Sequence, residues 1–156
     1  MTDLGKAFDD FARALIHQRH MTHSGIVIAT AAILDVQLER ALKRGMQPLS
    51  KGLYERLFDS FRPLSTFSSK IIMAYALGIV SVEIFEELEK IRRIRNAFAH
   101  SSEILNFSSP QIIPIFRSLR IPDTKETGTE AIFMACVKVI DNALEEYLAR
   151  MEERSG

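Results

Sequence analysis

A chain of 156 residues with 47% hydrophobic and 26% charged side chains is long enough to bury a core and too apolar to remain disordered. Lys plus Arg and Asp plus Glu both number 20, and this zero net charge argues against a dedicated duplex-DNA binder, whose basic face displaces counterions from phosphate. The one cysteine, Cys136, excludes an intrachain disulfide, and neither a signal-peptide plan at Met1–Lys6 nor an apolar run near the ~20 residues of a membrane span is present, so a cytoplasmic protein is expected.

Thr2 or Asp3 can cap a first helix carrying Leu4, Phe8, Phe11 and Leu15 at helical spacing, up to a polar junction at His17–Ser24. A second helix is predicted from about His23 to Arg44. Its first half, Ile26 to Leu34, is apolar nearly all round and belongs at the centre of a bundle. Gly45 and Pro48 end it. A short helix near Leu49–Asp59 leads to a break at Phe61–Leu64. Ser65 can cap a helix to Leu77 closed by Gly78, and Ser81 can cap another from Val82 to about Ala99. Residues 101 to 128 are less regular, with a short helix expected from Pro110 and a polar loop at Pro122–Gly128. The last helix shows the clearest stripe, Ile132, Phe133, Cys136, Val137, Ile140, Leu144 and Leu148 among its members. No repeat or linker interrupts the chain. The pattern predicts an all-α fold, a single-domain multi-helix bundle over residues 1–156 with no sheet. Cys136 lies in that stripe, which makes it a buried, inert thiol.

Three segments invite a chemical reading. His17, His20 and His23 resemble a metal cluster, but His17 and His23 stand roughly 240° apart on a helix at ~100° per residue. They cannot share one ion, so no metal site is expected and a solvated junction is the simpler reading. Ile71–Lys90 superficially resembles a helix-turn-helix. Its would-be reading helix carries Glu83, Glu86, Glu87 and Glu89, which phosphates would repel, and no Arg or Asn stands in its first turn to read base edges. Direct DNA reading is therefore rejected in favour of a helix hairpin with a glutamate-rich solvent face.

Ile91 to His100 differs in kind. Asn96 and His100 lie four apart on one face, with Arg95 one residue off it, and all three can converge near the end of the helix. Arg92 and Arg93 read as surface charge, with Glu89–Arg93 and Glu86–Arg93 pairs expected. Ile94 and Phe98 read as core. Arg95, Asn96 and His100 are thus the candidate functional residues. Asp35 closes the most apolar stretch of the second helix, with Glu39 one turn on. A carboxylate there calls for a cation, either Arg95 or Lys70, unless Asp35 points to solvent. Arg95, His100, Lys70 and Asp35 are accordingly the candidate binding residues.

Pro63-Leu64-Ser65-Thr66-Phe67-Ser68-Ser69-Lys70-Ile71, then Ala74-Tyr75-Ala76-Leu77-Gly78, and Ile91 to Ser101 together resemble the mannitol operon repressor family, over about residues 34 to 101. The resemblance implies an all-helical transcriptional regulator without a recognisable DNA-reading motif. Arg95-Asn96-x-x-x-His100 also resembles the signature of the HEPN superfamily, many members of which are metal-independent endoribonucleases or nucleotide-binding domains. That likeness implies that His100 acts as acid and base on a ribose 2′-hydroxyl while Arg95 stabilises the phosphorane, in a cleft shared by two copies. The expectations are therefore a homodimeric regulator contacting a protein, RNA or nucleotide at Arg95 and His100, then a ribonuclease, then a non-catalytic dimeric scaffold. None of them calls for a cofactor.

Overall fold

The apolar run Ile26–Leu34 opens the helix around which the rest of the protein packs. The structure, a computed structural model, describes residues 5–7, 9–11, 23–120 and 128–156. Its helices are α1 (His23–Gly45), α2 (Lys51–Phe58), α3 (Phe67–Ala76), α4 (Val82–His100), α5 (Ile113–Ser118) and α6 (Thr129–Ser155). Residues 5–7 and 9–11 are helical too, and among the described residues there is no strand. The all-helical expectation is met. None of the described helices is long and apolar enough to cross a membrane.

α1 packs against α3, α4 and α6, and α4 packs against α3, α5 and α6. Val27, Ala31, Leu34, Leu38, Ala41 and Leu42 are buried along α1 at three- and four-residue intervals. They meet Leu88, Ile91 and Ile94 of α4 and Phe133, Val137, Ile140 and Leu144 of α6 in one core. Fully burying each large side chain of this set contributes about 1.5–3 kcal/mol. At one end Phe98, Phe107, Phe116 and Phe133 cluster with ring centroids 5.3–6.4 Å apart, bringing α4, α5 and α6 together. At the other end α1 stops at Gly45, where a Cβ would lie 2.7 Å from Tyr147 Oη and 3.1 Å from Ile79 Cδ1.

The local signals are mostly where the sequence places them. Ser50 and Ser81 cap α2 and α4 by accepting from Leu53 N and Ile84 N. α3 is capped by Thr66 rather than Ser65, because Thr66 and Ser69 form a reciprocal capping box. Gly78, at φ 69°, carries the left-handed turn that reverses the chain into α4. Phe61 also takes a left-handed φ, 64°, and projects into solvent at the break after α2. α5 begins at Ile113 and not at Pro110, since turns from Ser109 to Ile112 and Ile113 occupy that stretch and Pro114 takes the first helical turn instead. α6 starts at Thr129, a turn earlier than its apolar stripe. The first helix's caps, His17, His20 and most of the loop Pro122–Gly128 lie outside the described residues. His23 is not part of a solvated junction: its Nδ1 accepts from Phe107 N at 3.0 Å and its ring stacks obliquely on Phe107.

Polar groups inside the bundle fix how its helices pair. Gln37 of α1 is fully buried and donates to Asp141 Oδ1 at 2.8 Å and Glu145 Oε1 at 2.6 Å, while Arg40 donates to Gln37 Oε1. Glu87 overturns the expectation of a wholly solvent-facing glutamate row on α4. It is buried, accepting from Lys90 Nζ at 2.6 Å, from the Arg120 backbone N–H at 3.0 Å and from the Cys136 thiol. Its position four before Ile91 puts it on the core face, and donors from α4 itself, from the backbone just past α5 and from α6 make its burial tolerable. Burial, reinforced by the Glu87 carboxylate, pushes the Cys136 thiol far above its ordinary pKa, so it is inert as expected.

Asp141 is 1% exposed, and burial, with Glu145 nearby, raises its pKa despite the Gln37 hydrogen bond. A carboxyl that binds its proton more tightly when folded lowers stability as pH rises through its folded pKa. Asp141→Asn keeps an oxygen for Gln37 and removes the buried charge. It should raise stability at pH 7 by about 1 kcal/mol, with the gain vanishing below the unfolded carboxyl pKa of 3.8, as read by thermal unfolding against pH.

Candidate functional site

Two sets of candidate residues emerge, and the structure holds them apart as different kinds of site. The first is built around Lys70, in the first turns of α3. The phase of Phe67, Ile71 and Ala74 turns that helix into the core, and Lys70, beside them, is only 4% exposed. Its ammonium lies 3.1 Å from Asp35 Oδ1 and 3.0 Å from Glu39 Oε2, both on α1. Asp35 therefore meets Lys70 and not Arg95. Its buried Oδ1 has that ammonium as counter-charge without a well-aligned hydrogen bond. Glu39 also accepts from Lys43 at 2.8 Å, and Lys43 lies over the rings of Tyr54 and Phe58, 5.5 and 5.0 Å from their centroids. The chain of charges Asp35, Lys70, Glu39, Lys43 thus ties α1 to α3 and to α2.

Burial works against the Lys70 ammonium, but Glu39 and Asp35 outweigh it and its pKa is raised. Burial likewise opposes ionised Glu39, and the two lysines outweigh it, so its pKa is lowered. A lysine held charged by two carboxylates is a poor nucleophile or base. The set braces the fold, and two clefts beside it, of about 750 and 440 Å³, run along α2 between side chains of both signs such as Glu55, Asp59, Arg56 and Lys51.

The second set occupies the last turns of α4. Ile94 and Phe98 are buried there, as expected, and Arg95 and Asn96 are half-buried. Arg95 Nη1 donates to Asn96 Oδ1 at 3.0 Å, so the neighbouring amide steers the guanidinium. His100 is exposed at the end of the helix, and among the described residues no hydrogen bond or ion pair engages it. No hydrogen bond joins it to Arg95. Arg92, not Arg93, pairs with Glu89, through Nε at 3.2 Å and Nη2 at 2.8 Å. Arg92 lies at the half-buried edge of the helix, where a partner is worth more than at exposed Arg93. Glu86 pairs with Arg120 at 3.4 Å instead of with Arg93. What remains open to a ligand is an arginine, an amide and an imidazole at one helix end, a set suited to anionic or hydrogen-bonding partners.

Glu39, Glu87 and the Gln37–Asp141 pair were missed as structural polar groups. Helical phase was the available signal: Glu87 precedes Ile91 by four, Asp141 follows Val137 by four, and Gln37 follows Leu34 by three.

The pH dependence of the Lys70 cluster follows from these signs. Glu39 contributes stability above the unfolded carboxyl pKa of 4.5 and loses it as pH falls through its lower folded value. Lys70 contributes below 10.5 and loses its contribution as pH rises through its folded value. Glu39→Gln should cost about 1 kcal/mol at pH 7 for this partly exposed group and flatten the acid limb of a Tm-against-pH curve. An unchanged acid limb would show that Glu39 carries no folding-linked proton.

The sequence pattern of a family described as "Mannitol repressor" matches residues 49–152. Among solved structures, the X-ray structure of the MtlR-HPr complex from Escherichia coli is similar, with a TM-score of 0.54 and 18% identity. The alignment covers 83% of this chain and 90% of that one, a likeness of fold. No curated protein matches.

Proposed function

We propose, from the premise that this chain belongs to the mannitol repressor family, that it regulates transcription as a dimer by binding another protein, with Arg95 and His100 among the contacts. The observation that carries the reading is the exposed end of α4, where Arg95 is steered by Asn96 and His100 is left without a partner among the described residues. A protein-contacting role is supported by the solved structure of similar fold, which holds its MtlR together with HPr. DNA reading finds no support in the α3–α4 hairpin. Glu83 and Glu86 are exposed on the first turns of α4, and Glu87 is committed to the core. Lys70 and Asp35 enter as positioning residues, holding α1 and α3 in place.

Titration calorimetry with the HPr of the solved Escherichia coli complex tests this. Binding at about micromolar Kd or tighter is expected, weakened at least about tenfold, or 1.4 kcal/mol, by Arg95→Ala and by His100→Ala. Absence of binding overturns the partner reading. Binding indifferent to both substitutions overturns the placement of the contact.

A second reading is favoured by the same three residues, whose spacing matches the HEPN signature. His100 would take the proton from a ribose 2′-hydroxyl as its oxygen attacks the adjacent phosphate, the bond to the 5′-oxygen would break to leave a 2′,3′-cyclic phosphate, and the departing 5′-oxygen would receive the proton, with Arg95 stabilising the charge on the attacked phosphate in a composite cleft of two copies. Total RNA incubated with the protein and EDTA decides it. Cleavage by the wild type but not by His100→Ala or Arg95→Ala selects the nuclease, and equal behaviour of all three excludes it.

A further inference from the structure

One residue of the loop after α4 is held by both of its main-chain polar groups. Phe107 is 3% exposed and sits in a tight turn, where Asn106 N donates to Ser109 Oγ at 2.9 Å and Ser108 N donates to Asn106 Oδ1 at 2.8 Å. Its own N–H leaves that turn and donates to His23 Nδ1 at 3.0 Å, and its carbonyl accepts from the Thr129 hydroxyl. His23 and Thr129 are the first residues of α1 and α6. Side chains at the starts of two helices thus satisfy the N–H and the carbonyl of a buried loop residue, groups that are costly to leave unpaired.

This anchorage reaches the exposed end of α4. The Phe107 ring lies 4.9 Å from that of His23 and 6.1 Å from that of Phe98, centroid to centroid. Phe98 belongs to the last turn of α4, three residues after Arg95 and two before His100. On the polar side of that turn, the side-chain hydrogen bonds among the described residues reduce to Arg95 on Asn96. The turn is held from its apolar side, where Phe98 packs against Phe107 and Phe116. Only one form of the imidazole can make the contact that starts this chain. A ring nitrogen that accepts an N–H carries no proton, so the proton of neutral His23 is on Nε2.

We infer that His23, as its Nε2–H tautomer, is a positioning residue for the partner contact at the end of α4, acting through Phe107 and Phe98. The inference rests on the protein-binding reading above. It adds a residue remote in sequence that sets where Arg95, Asn96 and His100 stand.

The test uses the full chain beside His23→Leu, which removes the acceptor, and His23→Asn, whose side-chain oxygen restores one. Amide hydrogen exchange of Ala97–Ser101 is expected to be at least about fivefold faster in His23→Leu and to return to within about twofold of wild type in His23→Asn, with the first turns of α4 unchanged throughout. Calorimetric titration with the HPr of the solved Escherichia coli complex should follow the same order, Kd rising about three- to tenfold in His23→Leu and not in His23→Asn. Unchanged exchange at Ala97–Ser101 in His23→Leu overturns the inference. Faster exchange spread evenly over α4 does so too, since it marks a merely structural role, and so does affinity lost equally in both variants. A wild type that fails to bind HPr overturns the protein-binding reading, whereas equal binding by wild type and His23→Leu overturns this inference alone. Should His23→Leu fail to fold, nitrogen-15 NMR of the wild-type imidazole decides: a proton on Nε2 supports the assignment, and a proton on Nδ1 overturns it.

Discussion

One buried ammonium sets the geometry of this bundle. Taking a lysine out of water costs several kcal/mol per ion unless partners replace its hydration, and Lys70 is almost wholly buried. It is tolerated because Asp35 and Glu39 stand one helical turn apart on α1, at 3.1 and 3.0 Å. Apolar packing alone lets helices slide by a turn at small cost. A charge that fits only between two particular carboxylates does not. The register of α3 on α1 follows, and Glu39 passes the constraint through Lys43 to the rings of α2.

The rest of the fold repeats this device with weaker charges. Gln37 and Asp141 set α1 against α6, and Glu87 holds the end of α5 against α4 through Arg120 and Lys90. The pairings of α1 with α3, of α1 with α6 and of α4 with the end of α5 thus each carry an internal polar contact along with their apolar packing. The consequence for function lies in what these contacts leave outside. Lys70 turned inward leaves α3 with an uncharged outer face. Ile94 and Phe98 turned inward leave Arg95, Asn96 and His100 at the open end of α4.

Much of this was legible in the residues themselves. The apolar run of α1, the cap Ser81, Gly78 at the turn and the stripe of α6 follow from local rules of periodicity and φ, and they place the helices within a residue or two. Asp35 was recognisable as a carboxylate in need of a cation, but not which one. The choice of Lys70 over Arg95 depends on how α3 lies beside α1, which is a tertiary fact. Glu87 was misread because its neighbours Glu83, Glu86 and Glu89 face outward, and composition outweighed helical phase. The α5 boundary failed for a similar reason: Pro110 suits a helix start, but the turns around Ser109 and Ile112 had already used that backbone. At the α4 end the pattern identified Arg95, Asn96 and His100 as exceptional without stating what they touch.

The most direct test of this account is a mutant cycle on the Lys70 cluster, followed by urea unfolding. Lys70→Met alone leaves two facing carboxylates without their cation and is predicted to cost about 2–3 kcal/mol, somewhat below the 3–5 of fully buried pairs because Asp35 and Glu39 side chains keep 31% and 29% exposure. Adding Asp35→Asn and Glu39→Gln removes the repulsion, and the triple variant is predicted to recover at least about half of that loss through coupling among neighbours. Losses that simply add would contradict the account, since they would mean that Lys70 holds α3 by its hydrocarbon stem and not by its charge.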